Sequence, residues 1–232
     1  MEIKHKFEPG CLYHEIMRAN ADGLLFKDRK DHLDFLIRLR KFILPCSEII
    51  CYALLGNHVH LLLRPHPPEV LSRISKRLKH LDFVLQPHEL DDYLEGKFHT
   101  EEIYWPGAPD IDYHERIVSS IRSLKASYKM LYRHKYNHKG VLWGRDKVTK
   151  LLPEAHDIVR TIVYIHKNPV HHGLIKTLEE WEFSSYWEIV NQSSNIVRPE
   201  SAMAYMGTRK DFEELHKIEP GDWGRKSKLA SK

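Results

Sequence analysis

Glu48-Ile49-Ile50-Cys51-Tyr52-Ala53-Leu54-Leu55-Gly56-Asn57-His58-Val59-His60-Leu61-Leu62-Leu63 is two apolar runs joined by a Gly-Asn pair. Each run has the length and content of a strand, and Gly56-Asn57 is turn chemistry that folds two strands into an antiparallel hairpin. Side chains two apart in a strand share a face. His58 and His60 therefore point one way and Val59, Leu61 and Leu63 the other. The apolar set buries itself. The other face presents two imidazoles side by side, and neutral imidazole is the commonest side-chain metal ligand near neutral pH. The pair is half of a metal site, or simply two histidines on a half-exposed face; the rest of the chain decides.

Reading outward, Cys11 to Arg18 alternates as a strand, and Asp28 with Asp31 marks a helix start before Leu33, Leu36, Leu39 and Ile43, stopped by Pro45. The opening is thus β-α-β-β. Downstream, Ile117, Ile121, Leu124, Tyr128 and Leu131 recur at spacings of four and three, predicting a helix from Tyr113 to about Lys135. Val141 to Leu152 reads as a further strand containing Trp143, and Glu154 to Lys167 as a helix ended by Pro169. Between these halves, Pro65, Pro67 and Pro68, a basic amphipathic piece (Val70 to Leu81) and an acidic segment ending near Pro109 read as an insertion of helix and loop at about 67–112. The expected fold is α+β, a mainly antiparallel sheet with helices packed on one face, of ferredoxin-like type. If Val59, Leu61 and Leu63 lie under those helices, His58 and His60 occupy the opposite face, where one more element would complete a site.

The chain has 232 residues, 42% of them hydrophobic, which suits one domain (residues 1–190, interrupted by the insertion) followed by a peripheral tail (191–232). No apolar run approaches the ~20 residues of a membrane span, and Met1 to Gly10 lacks a signal-peptide core, so the expected compartment is the cytoplasm. Three cysteines, with no CxxC pair, argue against a disulfide framework or a Cys-based zinc site. The net charge of +4 is unevenly spread. Residues 89–115 are acidic, whereas 116–150 are densely basic, a pattern that suits either a polyanionic partner or a solvated helix face.

Tyr128 lies on the apolar stripe of its helix, where a core role is the plain reading. Arg122, Lys125, Lys129 and Arg133 flank it, however, and a phenol with cationic neighbours suits attack on a phosphodiester. Trp143 and Trp187 are either core residues or base-stacking platforms. His171-His172, following Asn168-Pro169, reads as a loop beside nucleic acid or in solvent.

Tyr13-His14, Arg18, Asn57-His58-Val59-His60-Leu61-Leu62-Leu63, Ser127-Tyr128, Lys135-Tyr136-Asn137, Gly140-Val141-Leu142-Trp143, Asn168-Pro169-Val170-His171-His172-Gly173-Leu174 and Phe183-Ser184-Ser185-Tyr186 occur in a characteristic order. Together they resemble the single-tyrosine HUH transposases, and within them the REP-associated tyrosine transposase-like branch, over about residues 10–66 and 113–190. The resemblance implies a metal-dependent nuclease and strand transferase acting on single-stranded DNA, often beside a hairpin, through a 5′-phosphotyrosine intermediate. It implies that His58 and His60 hold Mg²⁺ or Mn²⁺ and that Tyr128 is the nucleophile; the cations flanking Tyr128, Arg122, Lys125, Lys129 and Arg133, are then expected to contact the DNA backbone. Family members commonly form homodimers.

Two departures stand out. The insertion at 67–112 replaces a short connection. The third metal ligand, usually Gln, Asn or Glu one turn after the nucleophile, is missing where Tyr132 and Arg133 stand; Asn137 and Glu15 are the substitutes at hand, and Tyr132 is an alternative nucleophile. These departures motivate a rival reading, a domesticated and catalytically silent binder of hairpin or single-stranded nucleic acid. A metal-dependent hydrolase of other substrates is a third, without a motif to support it.

Overall fold

The computed structural model describes residues 6–71, 112–145 and 148–218. Nearly all of the expected insertion lies outside these residues. Four strands, β1 (Leu12–Arg18), β2 (Ser47–Leu55), β3 (His58–Pro65) and β4 (Val148–Leu152), form one sheet in the order β2-β3-β1-β4. Every pairing is antiparallel. Between β1 and β2 runs α1 (Arg29–Phe42), and before β4 runs α2 (Tyr113–Tyr136), completing the ferredoxin-like β-α-β-β-α-β order.

The hairpin forms where Gly56-Asn57 places it, and its turn is anchored from outside. Gly56 O accepts from Leu25 N (2.8 Å) and Phe26 N (3.0 Å), and Asn57 O accepts from Ala19 N (2.8 Å). With β2 on one side and β1 on the other, β3 is buried along all its length except Arg64. That central position explains why Leu61, Leu62 and Leu63 form an unbroken apolar run rather than an alternation.

Register fixes the two faces. Tyr13, Met17, Val59, Leu61 and Leu63 share one, and His14, Ile16, Arg18, His58, His60 and Leu62 share the other. Phe7 joins the first face to α2, its ring lying 4.7 Å from Tyr13 and 5.8 Å from His114. On that side α1 and α2 pack against each other. The start of α1 is set by a capping box between Asp28 and Asp31, and Lys135 at the end of α2 bridges both carboxylates at 2.8 and 2.7 Å.

The strand expected over 141–152 is shorter. Regular pairing covers Val148–Leu152, while Trp143 makes an isolated bridge to Ala19. Gly144 fits closely there: a Cβ would stand 3.0 Å from the Ala19 carbonyl oxygen, tighter than an ordinary contact.

The next helix, α3 (Ala155–His171), lies over the histidine face and runs through Pro169 instead of stopping before it. There the proline forgoes the hydrogen bond its nitrogen would make four residues back, and the helix continues for only two residues beyond it. The helix ends instead at Gly173, whose φ of +65° lets Leu174 N reach Pro169 O at 3.0 Å.

The segment expected to be peripheral forms α5 (Pro199–Met206) and α6 (Arg209–His216), after the short α4 (Tyr186–Val190). Ala202 and Phe212 are fully buried, and His216 Nε2 meets His166 Nδ1 of α3 at 2.9 Å. Among the described residues no helix is long and apolar enough to cross a membrane.

Candidate functional site

On the face covered by α3, β1 supplies His14 and Arg18, β3 supplies His58 and His60, and α3 supplies Tyr164 and Asn168. His60 Nδ1 lies 2.9 Å from His14 Nε2, and the two rings stack with centroids 5.1 Å apart. The second nitrogen of His60, Nε2, is buried and has no hydrogen-bond partner among the described residues. His58 Nδ1 lies 2.6 Å from Asn57 Oδ1 and His58 Nε2 lies 3.1 Å from Asn168 Oδ1. A neutral imidazole carries one proton. With Nδ1–H donating to Asn57, the Nε2 lone pair faces the amide oxygen of Asn168.

All three imidazoles are neutral at physiological pH. Burial lowers His14 and His58 to about 4, the Lys150 charge adding to the first and Arg18 and His172 to the second; His60 is pushed to about 2 by burial, then by His14 and His58. Neutral rings keep the lone pairs that a metal requires.

Tyr164 stands over this cluster. Its ring lies 5.6 Å from His60 and 6.1 Å from His14, both edge to face. It is 43% exposed, and among the described residues its hydroxyl has no hydrogen-bond partner. Asn168 follows it by four residues, so the phenol and the amide project from one side of α3. Arg18, opposite His58 in the register, is exposed and has no ion-pair partner among the described residues.

The residues expected to act with the histidines lie elsewhere. Tyr128 has no exposed surface, its hydroxyl donates to Leu25 O at 2.7 Å, and Phe26 and Phe35 pack on its ring at 5.7 and 5.2 Å. Burial, reinforced by Asp31, drives its acidity far below that of an ordinary phenol, the reverse of what a nucleophile needs. Tyr132 is buried too and donates to Leu24 O. Both belong to α2, across the sheet from His58 and His60.

Arg122, Lys125, Lys129 and Arg133 sit on the same helix. Arg122 pairs with Glu115 at 3.5 Å and Lys125 Nζ lies 5.1 Å from the Trp143 ring centroid, so the structure does not bring these cations to the imidazoles. Glu15 points to the opposite face from His14, and Asn137 caps the far end of α2.

Among the described residues no group of three or more His, Cys, Asp and Glu is arranged to hold a metal ion. The set of donors here is two imidazoles and an amide. Their arrangement fits a divalent cation on two counts. His60 Nε2 is a buried atom lacking a partner among the described residues. The 3.1 Å between His58 Nε2 and Asn168 Oδ1 also matches two neighbouring ligand atoms, which stand about 3 Å apart when bonds of about 2.1 Å meet at right angles.

No protein-family profile matches the chain. A stretch of 54 residues is 33% identical to a putative REP-associated tyrosine transposase of Haemophilus influenzae, spanning 23% of this chain and 30% of that relative's length. Among solved structures, a REP-associated tyrosine transposase bound to a REP hairpin superposes with a TM-score of 0.51 at 18% identity, covering 83% of this chain and 86% of that one. The resemblance is to the REP-associated tyrosine transposases. The fold of that transposase is the fold described above, an antiparallel four-stranded sheet with helices. A bacterial tRNA(His) guanylyltransferase-like protein in complex with GTP matches at a TM-score of only 0.38 and 10% identity over 76% of this chain.

Tyr164 and Asn168 were legible in one respect. A tyrosine followed one turn later by an amide is the spacing the transposase resemblance calls for, and it occurs at 164 and 168 rather than after Tyr128.

Proposed function

We propose that the protein is a transposase-like strand transferase on single-stranded DNA beside a hairpin, with Tyr164 as its nucleophile. One observation carries this reading: an exposed tyrosine whose hydroxyl has no partner among the described residues lies against His60 of the His-x-His strand and His14 of β1, with Asn168 one turn away touching His58. The Tyr164 oxygen attacks a backbone phosphorus and gives up its proton. The bond from phosphorus to the 3′ oxygen breaks, that oxygen leaves as a hydroxyl after taking a proton, and the 5′ phosphate stays on the tyrosine. Attack on this ester by a second 3′ hydroxyl reverses the sequence, so rejoining needs no nucleotide cofactor.

His58, His60 and Asn168 are the residues that would hold Mg²⁺ or Mn²⁺, which supplies Lewis acidity at the phosphate; imidazole donors favour Mn²⁺. Arg18, exposed beside His58, is placed to take a phosphate oxygen. His14 and His60, packed edge to face against its ring, orient the phenol.

The testing experiment incubates the protein with end-labelled hairpin DNA carrying single-stranded flanks and Mn²⁺, and resolves the products on a denaturing gel. An adduct that survives denaturation and vanishes in Tyr164→Phe supports the reading. Salt-sensitive binding without an adduct favours the silent binder instead, and the amide in place of a third acidic or imidazole ligand is the observation on its side.

A further inference from the structure

We infer that His14 is a positioning residue that fixes His60 as the Nδ1–H tautomer and thereby turns the His60 Nε2 lone pair into the site. The inference rests on the proposed reading for its consequence, metal capture, but the tautomer itself is independent of that reading.

Three observations carry it. First, the 2.9 Å contact between His14 Nε2 and His60 Nδ1 admits only one proton between them. Either His14 donates, which leaves His60 with a buried Nε2–H facing no acceptor, or His60 donates and its buried Nε2 is a lone pair. Only the second arrangement offers a cation anything, and a cation would relieve the burial cost of that nitrogen.

Second, among the described residues His14 is the one hydrogen-bond partner of the His60 ring. The residues opposite His60 on either side are Ile16 of β1 and Ala53 of β2, both apolar. His14 is therefore the partner that decides.

Third, the neighbouring imidazole is oriented in the same way by different chemistry. His58 Nδ1 faces Asn57 Oδ1 at 2.6 Å, which leaves its Nε2 toward Asn168. Both imidazoles of the strand thus have a partner on Nδ1 and an Nε2 that faces the site. Asn57 offers an oxygen that can only accept, whereas His14 must itself be the Nδ1–H tautomer to accept at Nε2.

The test uses the whole protein, labelled with ¹⁵N-histidine and free of metal, together with His14→Gln and His14→Phe. Glutamine keeps an acceptor oxygen near the position of Nε2, and phenylalanine keeps the ring without it. Long-range ¹H–¹⁵N spectra report the proton on each ring nitrogen, and the His60 signals are those lost in His60→Asn. The expected result is a protonated Nδ1 and a bare Nε2 on His60 in the wild type and in His14→Gln, and loss of that preference in His14→Phe.

Mn²⁺ titration by calorimetry should then show affinity falling by about 10–100-fold in His14→Phe and much less in His14→Gln. A wild-type His60 carrying its proton on Nε2 overturns the inference, as does unchanged Mn²⁺ affinity in a folded His14→Phe. A bare Nε2 in a wild type that binds no Mn²⁺ upholds the part played by His14 and overturns the metal reading instead. The wild-type spectrum decides even where a variant fails to fold.

Discussion

Replacing Tyr128 and Tyr164 by phenylalanine in parallel removes one hydroxyl from each of two opposite environments. At Tyr128 the lost group is buried and bonded to Leu25 O at 2.7 Å. Its removal leaves that carbonyl without this partner and should cost about 1–3 kcal/mol. For a protein of this size that is a fall of about 2–12 °C in melting temperature. At Tyr164 the hydroxyl is reachable by solvent and has no partner among the described residues, so stability should stay within about 0.5 kcal/mol of the wild type. The effect on covalent adduct formation runs the other way, with Tyr164→Phe losing it and Tyr128→Phe keeping it at temperatures where the variant is folded. Calorimetric melting paired with the denaturing-gel assay reads both axes. A Tyr128→Phe protein that melts like the wild type and makes no adduct would refute the assignment, and so would a Tyr164→Phe protein with its adduct intact.

Asn168→Ala should weaken Mn²⁺ binding by at least about tenfold, measured by calorimetry, without loss of the fold; unchanged affinity would remove Asn168 from the ligand set. Arg18→Gln should reduce the slope of log affinity against log salt for single-stranded DNA by about 0.7, the value for one phosphate contact, whereas charge reversal at Lys129 and Arg133 should leave adduct formation unchanged. Acid should destabilise the protein through His216. Burial, opposed by a hydrogen bond to Phe212 O and aided by the Lys167 charge, holds it at about 4 in the fold against 6.5 when unfolded, and His166 is the other titratable ring against it. The folded state therefore binds fewer protons, and stability present above pH 6.5 is lost as pH falls toward 4, by about 3 kcal/mol for this ring alone. Urea midpoints at pH 7 and pH 4.5 should differ accordingly, and His216→Gln should shrink the difference.

The sheet and its two early helices were readable because each obeyed a strong local rule. Gly56-Asn57 fixed the hairpin, the Asp28 and Asp31 pair capped α1, and a long apolar stripe marked α2. Chirality carried more than periodicity alone. Right-handed crossovers put both helices of a β-α-β-β-α-β unit on the same face. That face is the one with Val59, Leu61 and Leu63, so any tyrosine on the apolar stripe of α2 points away from His58 and His60.

Periodicity says that Tyr128 is buried; it does not say against which side of the sheet. Tyr164 escaped notice for the complementary reason. It lies off the stripe of Ile158, Ile162 and Ile165, and apart from the amide one turn on, an exposed tyrosine on an amphipathic helix gives no signal until the helix is docked. The pairing of His14 with His60 was also hidden, since two residues 46 apart meet only once the strand register is known.

Because Tyr164 and Asn168 ride on one helix, any shift of α3 carries phenol and amide together and changes their relation only to the sheet. Besides its buried apolar stripe, α3 is held at His166, which is gripped by His216 and Ser185 Oγ, each at 2.9 Å. The C-terminal helices thus act as a brace on the helical half of the site. A chain ending at Met206 would keep every group that faces the phosphate and lose half of that grip, so its expected defect is imprecise aim rather than missing chemistry.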